Sequence, residues 1–191
     1  LSDGLLKALD TKPKVEQKID TTNPEAYEFY LKAKHKYVKR EDTDDTEIAR
    51  GLLKKAIELD DNLISAKTLL GTTYREMGDY DKATEHLEKS LAIQKEIGFK
   101  ALELETTTYL YLTYTHLGSD YDEKHLHSLI KDAENIEYEL NFRLYQLLDD
   151  TSYLETAYTQ VQENTSAMED GKKYLSYPIP KAIVEAWEKV K

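Results

Sequence analysis

The sequence predicts an all-α fold made of stacked helical hairpins, and three observations carry this prediction. No proline occurs between Pro24 and Pro178, and because proline breaks helix interiors, this interval can hold uninterrupted helices. Alternation of β-branched and polar residues, the usual mark of a strand, is nearly absent. Apolar residues recur instead at helical spacing between short polar breaks. We therefore expect helix throughout and almost no strand.

The composition is that of a folded, acidic globular protein. Of the 191 residues, 40% are hydrophobic and 33% are charged, and the formal net charge is −11. This acidic balance argues against nucleic-acid binding, which needs a basic surface. The absence of cysteine excludes disulfides, thiolate metal sites and a cysteine nucleophile. No apolar run approaches the roughly 20 residues of a membrane span, so we expect no membrane insertion by this chain and a cytoplasmic location.

Residues 1–22 are the first of three predicted segments. They contain three leucines on one side of a predicted short helix, followed by a polar, linker-like stretch with Pro13. Because the chain begins with Leu1 rather than methionine, we expect it to be a fragment or a processed product. The segment would then be the tail of a preceding domain.

The second segment, residues 23–168, begins with a strong helix start. Asn23 is a favoured N-cap, Pro24 suits the first helical position, and Glu25 places an acid in the first turn. This helix is predicted to run to about Arg40, and a second helix follows from Thr43. Helices and short turns then alternate, with breaks predicted near residues 60–62, 78–79, 98, 118–120 and 149–152.

The third segment, residues 169–191, is predicted to form C-terminal capping helices. Pro178 and Pro180 open a stretch in which apolar side chains fall close to one helical stripe. The end of a stacked array leaves an apolar face open, and such a stripe can cover it. The apolar positions are Ile179, Ile183, Val184, Trp187 and Val190.

Two sets of residues repeat within the second segment. The first set, Ala49, Leu53 and Ala56, recurs 34 residues later as Ala83, Leu87 and Ser90. The second set, Leu70, Tyr74 and Gly78, recurs 40 residues later as Leu110, Tyr114 and Gly118. A period of 34 residues with two helices per unit indicates an array of hairpins. Stacked hairpins bury a continuous core that no single hairpin can form.

One unit resembles the tetratricopeptide repeat (TPR) consensus closely, through Leu70-Gly71-x-x-Tyr74, Gly78-Asp79-Tyr80, Ala83, Leu87 and Ser90. In that family a small residue such as Gly71 lets the two helices of a hairpin approach each other. The resemblance covers roughly residues 23–168. It implies a right-handed α-solenoid of three to four TPR hairpins with a helical C-terminal cap.

A narrower resemblance concerns the start of the array. Asn23-Pro24-Glu25-Ala26-Tyr27 with Tyr30-Leu31-Lys32-Ala33-Lys34 is similar to the start of TPR regions in bacterial multidomain signalling proteins. Many of those proteins carry an adenylate/guanylate cyclase or a TolB-like domain upstream. The resemblance implies an alternative function for this chain, as a regulatory or dimerisation region of such a signalling enzyme, and a homodimer as its assembly.

The main functional hypothesis is a non-enzymatic scaffolding module that binds a protein or peptide segment in a concave groove. The resemblance implies which residues line that groove: Thr68, Thr72, Arg75, Thr108, Tyr109, Leu112 and His116. The Lys and Asn residues with which the family clamps a peptide carboxylate are absent from these positions.

A second candidate is a stripe of basic residues. Lys32, Lys36 and Arg40 lie at i, i+4 and i+8, on one face of a helix. Such a stripe can hold an acidic peptide or a phosphate, but cations near a helix C-terminus also complement its dipole.

No motif for chemistry is found. Nucleotide-loop and zinc-protease motifs are absent, and the five histidines include no pair at metal-ligand spacing, with His116 and His125 the only pair expected to approach across a turn. We expect no catalytic residue, no cofactor and no metal site.

Overall fold

In the computed structural model, which describes residues 21–98 and 100–191, most of these residues are helical. The described residues form ten α-helices, one short 3₁₀ turn and no strand. This confirms the all-α prediction. The predicted short N-terminal helix and most of its linker lie outside the described residues.

The helices are numbered here in chain order. They are α1 (Pro24–Val38), α2 (Thr43–Leu59), α3 (Ile64–Glu76), α4 (Tyr80–Ile97), α5 (Glu103–His116), α6 (Glu123–Asp132), α7 (Tyr138–Leu148), α8 (Thr151–Ala167), α9 (Gly171–Leu175) and α10 (Pro178–Val190). The 3₁₀ turn Lys100–Leu102 leads into α5.

Short polar side chains start most of these helices. Asn23 Oδ1 accepts hydrogen bonds from the backbone N–H groups of Glu25 and Ala26, at 3.1 and 3.2 Å. Aspartates cap five further helices in the same manner, which satisfies N–H groups that have no partner within the helix. They are Asp42, Asp79, Asp122, Asp150 and Asp170.

Each helix packs mainly against its neighbours in the sequence. The pairs α1–α2, α3–α4 and α7–α8 are closely packed antiparallel partners, and α2 and α4 in turn pack against α3 and α5. The odd-numbered helices α1, α3, α5 and α7 also contact one another in order. We call the surface where these four helices meet the inner face.

The core follows this order in three connected parts. The first joins α1 to α4 around Leu53, Leu70 and Tyr74, the second joins α4 to α8 around Leu87, Leu110, Leu126 and Leu144, and the third joins α7 to α10.

The C-terminal helices pack on α8. Ile179 and Ile183 of α10 are buried in the third part of the core, and the Trp187 ring stacks on Tyr158 at 5.3 Å between centroids. Lys39 Nζ lies 5.7 Å from the ring centroid of Tyr177, the residue just before α10. The chain is therefore curved, and the residue that follows α1 contacts the residue that precedes α10.

Candidate functional site

Five of the seven residues predicted to line an open groove are buried instead. Their exposed fractions are 4% or less, so they do not form a solvent-facing groove. This corrects the predicted register of α3 and α5. The five residues are Thr68, Thr72, Thr108, Tyr109 and Leu112.

The threonines are buried because they face neighbouring helices. Thr68 Oγ1 lies 2.7 Å from Ser90 Oγ of α4 and 3.2 Å from Thr106 Oγ1 of α5. Gln94 Nε2 donates to Thr106 Oγ1 at 2.9 Å, which closes a fully buried network. Thr72 and Thr108 donate to the carbonyls of their own helices. A threonine whose hydroxyl is hydrogen-bonded to its own helix can lie in a core as well as on a surface.

His116 does not reach the inner face either. Its side chain is exposed and its ring stacks on Tyr80, at the start of α4, with 4.7 Å between centroids. It also has no contact with His125, whose Nδ1 lies 3.3 Å from the Tyr111 hydroxyl. Among the described residues, no group of three metal-ligating side chains comes together.

The basic stripe on α1 does not act as one unit. Lys32 pairs with Glu28 at 2.8 Å on the same helix, and Lys36 pairs with Asp45 at the start of α2. Arg40 turns away from both, donates to the Tyr37 carbonyl at 2.6 Å and lies 4.3 Å from the Tyr37 ring centroid. Lys32 and Lys36 are thus each paired with an acid, while Arg40 belongs to another group of charged side chains, and anion binding by this stripe stays a prediction.

That group, which we call the arginine cluster, consists of Arg40, Arg75 and Arg143 around Glu76. Arg40 Nη2 lies 3.3 Å from Glu76 Oε2, while Arg75 Nη1 and Arg143 Nη2 lie 3.1 and 3.0 Å from Glu76 Oε1. The three arginine side chains are only 6–10% exposed, against 22% for Glu76. The segment after α1 and the helices α3 and α7 thus each contribute one guanidinium group that contacts the same carboxylate.

A second charged group lies next to it on the inner face. The Tyr109 hydroxyl donates to Glu139 Oε1 at 2.8 Å, and the Arg143 guanidinium lies 5.7 Å from the Tyr109 ring centroid. Tyr30 chiefly, with Glu105 and Glu139, raises the pKa of Lys34. Burial raises the pKa of half-buried Glu105, and the charge of Lys34 acts in the opposite direction. Tyr109 therefore joins the arginine cluster to this acidic end.

Burial and neighbouring charges affect Arg75 and Arg143 differently. Burial, together with the neighbouring Arg143 guanidinium, lowers the pKa of Arg75. Burial acts in the same direction on Arg143, but Tyr109 and Glu76 outweigh it and raise the pKa of that residue overall. Both guanidiniums stay charged, and they crowd a site that holds one carboxylate.

Hydrogen bonding in the cluster is incomplete. Arg75 Nε, Arg143 Nε and the Tyr37 hydroxyl are buried and have no hydrogen-bond partner within the described part of the chain. Buried polar groups are normally paired, and an arginine presents five N–H donors in a fixed planar fork. The cluster thus has donor capacity that Glu76 and Gln146, which accepts from Arg143 Nη1 at 3.0 Å, do not use.

Sequence reasoning identified Arg40, Arg75 and Tyr109 but placed them in two separate sites. It missed Arg143 and Glu139, which come from α7. The signal was available: Arg143 is the one cation of α7, Tyr138–Leu148, and lies between Phe142 and Leu144. A single charge on a helix face that packs inward indicates a partner within the fold.

Comparisons with protein-family models, with curated proteins and with solved structures found no match to this chain. Among the helices described here, none combines the length and the apolar character needed to cross a membrane.

Proposed function

We propose that the chain is a non-enzymatic protein-interaction module that binds an acidic segment of a partner at the arginine cluster. In this proposal the helices form a right-handed TPR solenoid whose inner face is the concave side. The helix order, the TPR-like residues and the close approach of Gly71 to Leu87 support the solenoid: a Cβ atom built on Gly71 would lie 2.7 Å from Leu87 Cγ.

The observation that carries the proposal is the charge imbalance of the cluster. Three guanidiniums converge on one carboxylate, and two of their Nε–H groups lie buried without a partner among residues 21–98 and 100–191. Charge-assisted hydrogen bonds from arginine to a carboxylate are short and strong, and the planar fork fits a carboxylate in a bidentate manner. An Asp or Glu side chain of a partner supplies the missing counter-charge.

The cluster is placed where a partner can reach it. Arg40 follows the end of α1, while Arg75 and Glu76 are the last two residues of α3. Glu76 is the most exposed member of the cluster, with 22% of its side chain exposed. An incoming carboxylate takes over part of the contact that Glu76 makes and enters at this edge of the inner face.

Selection of random peptides on the immobilised protein tests the proposal. Selected sequences should be enriched in Asp and Glu, and a synthetic, fluorescently labelled peptide of the selected sequence should bind with a measurable Kd. Arg40→Gln should weaken this Kd by about tenfold, the loss of one charge-assisted hydrogen bond. Raised salt should weaken binding further, because the contact is ionic.

Lys36→Gln is the matched control. It removes a positive charge four residues before Arg40, but Lys36 pairs with Asp45 rather than with Glu76. Binding should change by less than about twofold in this variant. Selected peptides without acidic enrichment, or equal loss in Arg40→Gln and Lys36→Gln, would show that the arginine cluster does not bind the partner.

A further inference from the structure

A separate cleft of about 660 Å³ lies between α4, α5 and the loop that joins α5 to α6. It is distinct from the arginine cluster, with which it shares no residue. One wall is formed by the rings of Tyr111, Tyr114 and Tyr121. The ring centroids of Tyr111 and Tyr121 are 4.9 Å apart, and those of Tyr111 and Tyr114 are 6.1 Å apart. The cleft thus has a continuous aromatic surface.

The three tyrosines are held in place at their hydroxyl ends. Tyr114 donates to Glu88 Oε1 at 2.6 Å, Tyr121 donates to the Leu147 carbonyl at 3.3 Å, and the Tyr111 hydroxyl lies 3.3 Å from a ring nitrogen of His125. Burial, with the bond to Glu88, raises the pKa of Tyr114 to about 12, so its hydroxyl remains a neutral donor. Rings fixed in this way lose little freedom when a ligand covers them.

Carboxylates surround the aromatic wall. Glu88, Asp120 and Asp122 line the cleft, with Lys95 as the only cation among its lining residues. Glu88 and Asp120 are exposed, and Asp122 also caps α6 through the His125 N–H. Leu91, Ala92 and Leu110 complete the surface with apolar atoms. The cleft therefore combines an apolar and aromatic bed with an excess of negative charge.

We propose that this cleft binds an arginine or lysine side chain from a basic segment of a partner protein. The aliphatic stem of such a side chain lies along Leu91 and the tyrosine rings, and its cationic head reaches the carboxylates. Aromatic faces attract cations, and the attraction grows where water is excluded. The net charge of −11 also draws basic segments toward the protein.

A protein segment is favoured over a free small amine because the cleft is open to solvent and partly lined by apolar side chains. An open cleft covers one side of a ligand, so a side chain delivered by a longer chain gains from contacts on either side of it. A small free cation has no such contacts, so one ion pair alone would have to offset the translational and rotational entropy that it loses on binding.

Titration of the intact chain with a short blocked peptide that carries one arginine among alanines and leucines tests the proposal. Tyrosine ring signals in NMR spectra should shift in a saturable manner, with Tyr111, Tyr114 and Tyr121 most affected. The same peptide with glutamine in place of arginine should bind at least about tenfold more weakly, as expected for loss of the cation. Agmatine is the small-amine comparison and should bind more weakly than the arginine peptide.

Two variants locate the binding. Glu88→Gln should weaken binding of the arginine peptide by about fivefold, because it removes a carboxylate from the cleft. Glu85→Gln removes a carboxylate one turn earlier on α4, where Glu85 is paired with Lys89 outside the cleft, and should leave binding unchanged. Absence of saturable shifts up to about 5 mM, or equal effects of the two variants, would overturn the site. Agmatine binding as tight as that of the peptide would overturn the assignment to a protein segment.

Discussion

Gly71 is the residue at which the α3–α4 hairpin depends most directly on one side chain. A Cβ atom there would lie 2.7 Å from Leu87 Cγ and 3.3 Å from His86 Cβ, so the two helices would have to separate. Gly51, in the middle of α2, has no atom within 4 Å of the corresponding position. Alanine is the better helix former at both sites. Substitution at the two positions therefore distinguishes the cost of close helix packing from the gain in helix propensity.

We expect Gly71→Ala to lower the free energy of unfolding by about 1–3 kcal/mol, the cost of overpacking. Gly51→Ala should raise it by about 0.5–1 kcal/mol, because the unfolded chain loses freedom and nothing clashes. Urea denaturation of the two variants measures both changes. A gain in stability for Gly71→Ala would contradict the close approach of the two helices.

His86 is a second residue whose surroundings have a measurable effect. Its ring stacks on Tyr74 at 5.3 Å between centroids, and burial lowers its pKa below the ordinary 6.5, with nearby lysines acting in the same direction. The unfolded state therefore binds a proton more readily than the folded state. Stability is full above pH 6.5 and falls as the pH drops through the unfolded and then the folded pKa.

We expect His86→Gln to flatten the decline in Tm between about pH 7 and pH 5. His127→Gln is the control, since His127 is exposed beside Glu123, and this variant should keep the wild-type slope. Proton NMR of the His86 ring gives the pKa directly. A wild-type slope in the His86→Gln variant would mean that the ring is not desolvated in the fold.

At the scale of the helices, the sequence predicted the start of α1 better than it predicted which side chains are buried. The start of α1 at Asn23-Pro24 follows from capping and from the fixed geometry of proline, both of which act within one turn. The register of α5 was predicted wrongly, because its buried stretch runs from Thr106 through Thr113 without a break. A helix that packs on several sides has no polar face in its sequence, so the orientation of its side chains is hard to predict. Threonine gives no further indication, because it occurs in cores and on surfaces.

The meeting of the three arginines could not be predicted from the sequence. Arg143 stands out as the one cation of α7, but its contact with the group that includes Arg40 and Arg75 depends on how strongly the chain curves. Glu76 and Arg143 are 67 positions apart, and no local pattern records such a distance. A repeat period predicts which helices are neighbours, but the curvature that brings side chains of α1, α3 and α7 together comes from packing along the whole array.

The last helix, α10, is expected to contribute stability as part of the core. Trp187 is the only tryptophan and its half-buried ring stacks on Tyr158 of α8. Its native fluorescence should be shifted to the blue of the unfolded protein, and Trp187→Ala should cost about 2–4 kcal/mol, somewhat below the cost of removing a fully buried ring. Val190→Ala, at an exposed position, should cost less than about 0.5 kcal/mol. Water-like emission with no loss of stability would show that α10 does not dock.

At the scale of the whole molecule, two contacts join parts of the chain that a simple linear array keeps separate. Lys39, after α1, meets Tyr177, before α10, and Glu76 connects α1, α3 and α7 through the arginine cluster. In a linear array each unit contacts only its neighbours, and stability is a sum over those contacts. These longer contacts should make unfolding more cooperative than such a sum predicts.

Glu76 is the point at which this wider coupling can be tested. Glu76→Gln keeps the shape of the side chain but leaves three largely buried guanidiniums without a carboxylate at their centre. Removal of one partner from a buried ionic group leaves charge uncompensated, and we expect the free energy of unfolding to fall by about 2–4 kcal/mol. Glu58→Gln is the control, because Glu58 is exposed and pairs with the likewise exposed Lys55 at 3.6 Å, and it should cost less than about 0.5 kcal/mol.

Sulfate distinguishes a missing counter-charge from a simple loss of packing. Any anion that binds only the folded state raises Tm through mass action, and a site with three guanidiniums and no carboxylate should bind sulfate best. Sulfate also stabilises proteins in general by exclusion from their surface, so the shift in Glu58→Gln at equal concentration sets the baseline. We expect Glu76→Gln to gain clearly more Tm from sulfate than Glu58→Gln does, and chloride at matched ionic strength to give no such difference. Equal gains in the two variants would mean that the cluster has no free capacity for an anion, and would count equally against the acidic partner proposed for it.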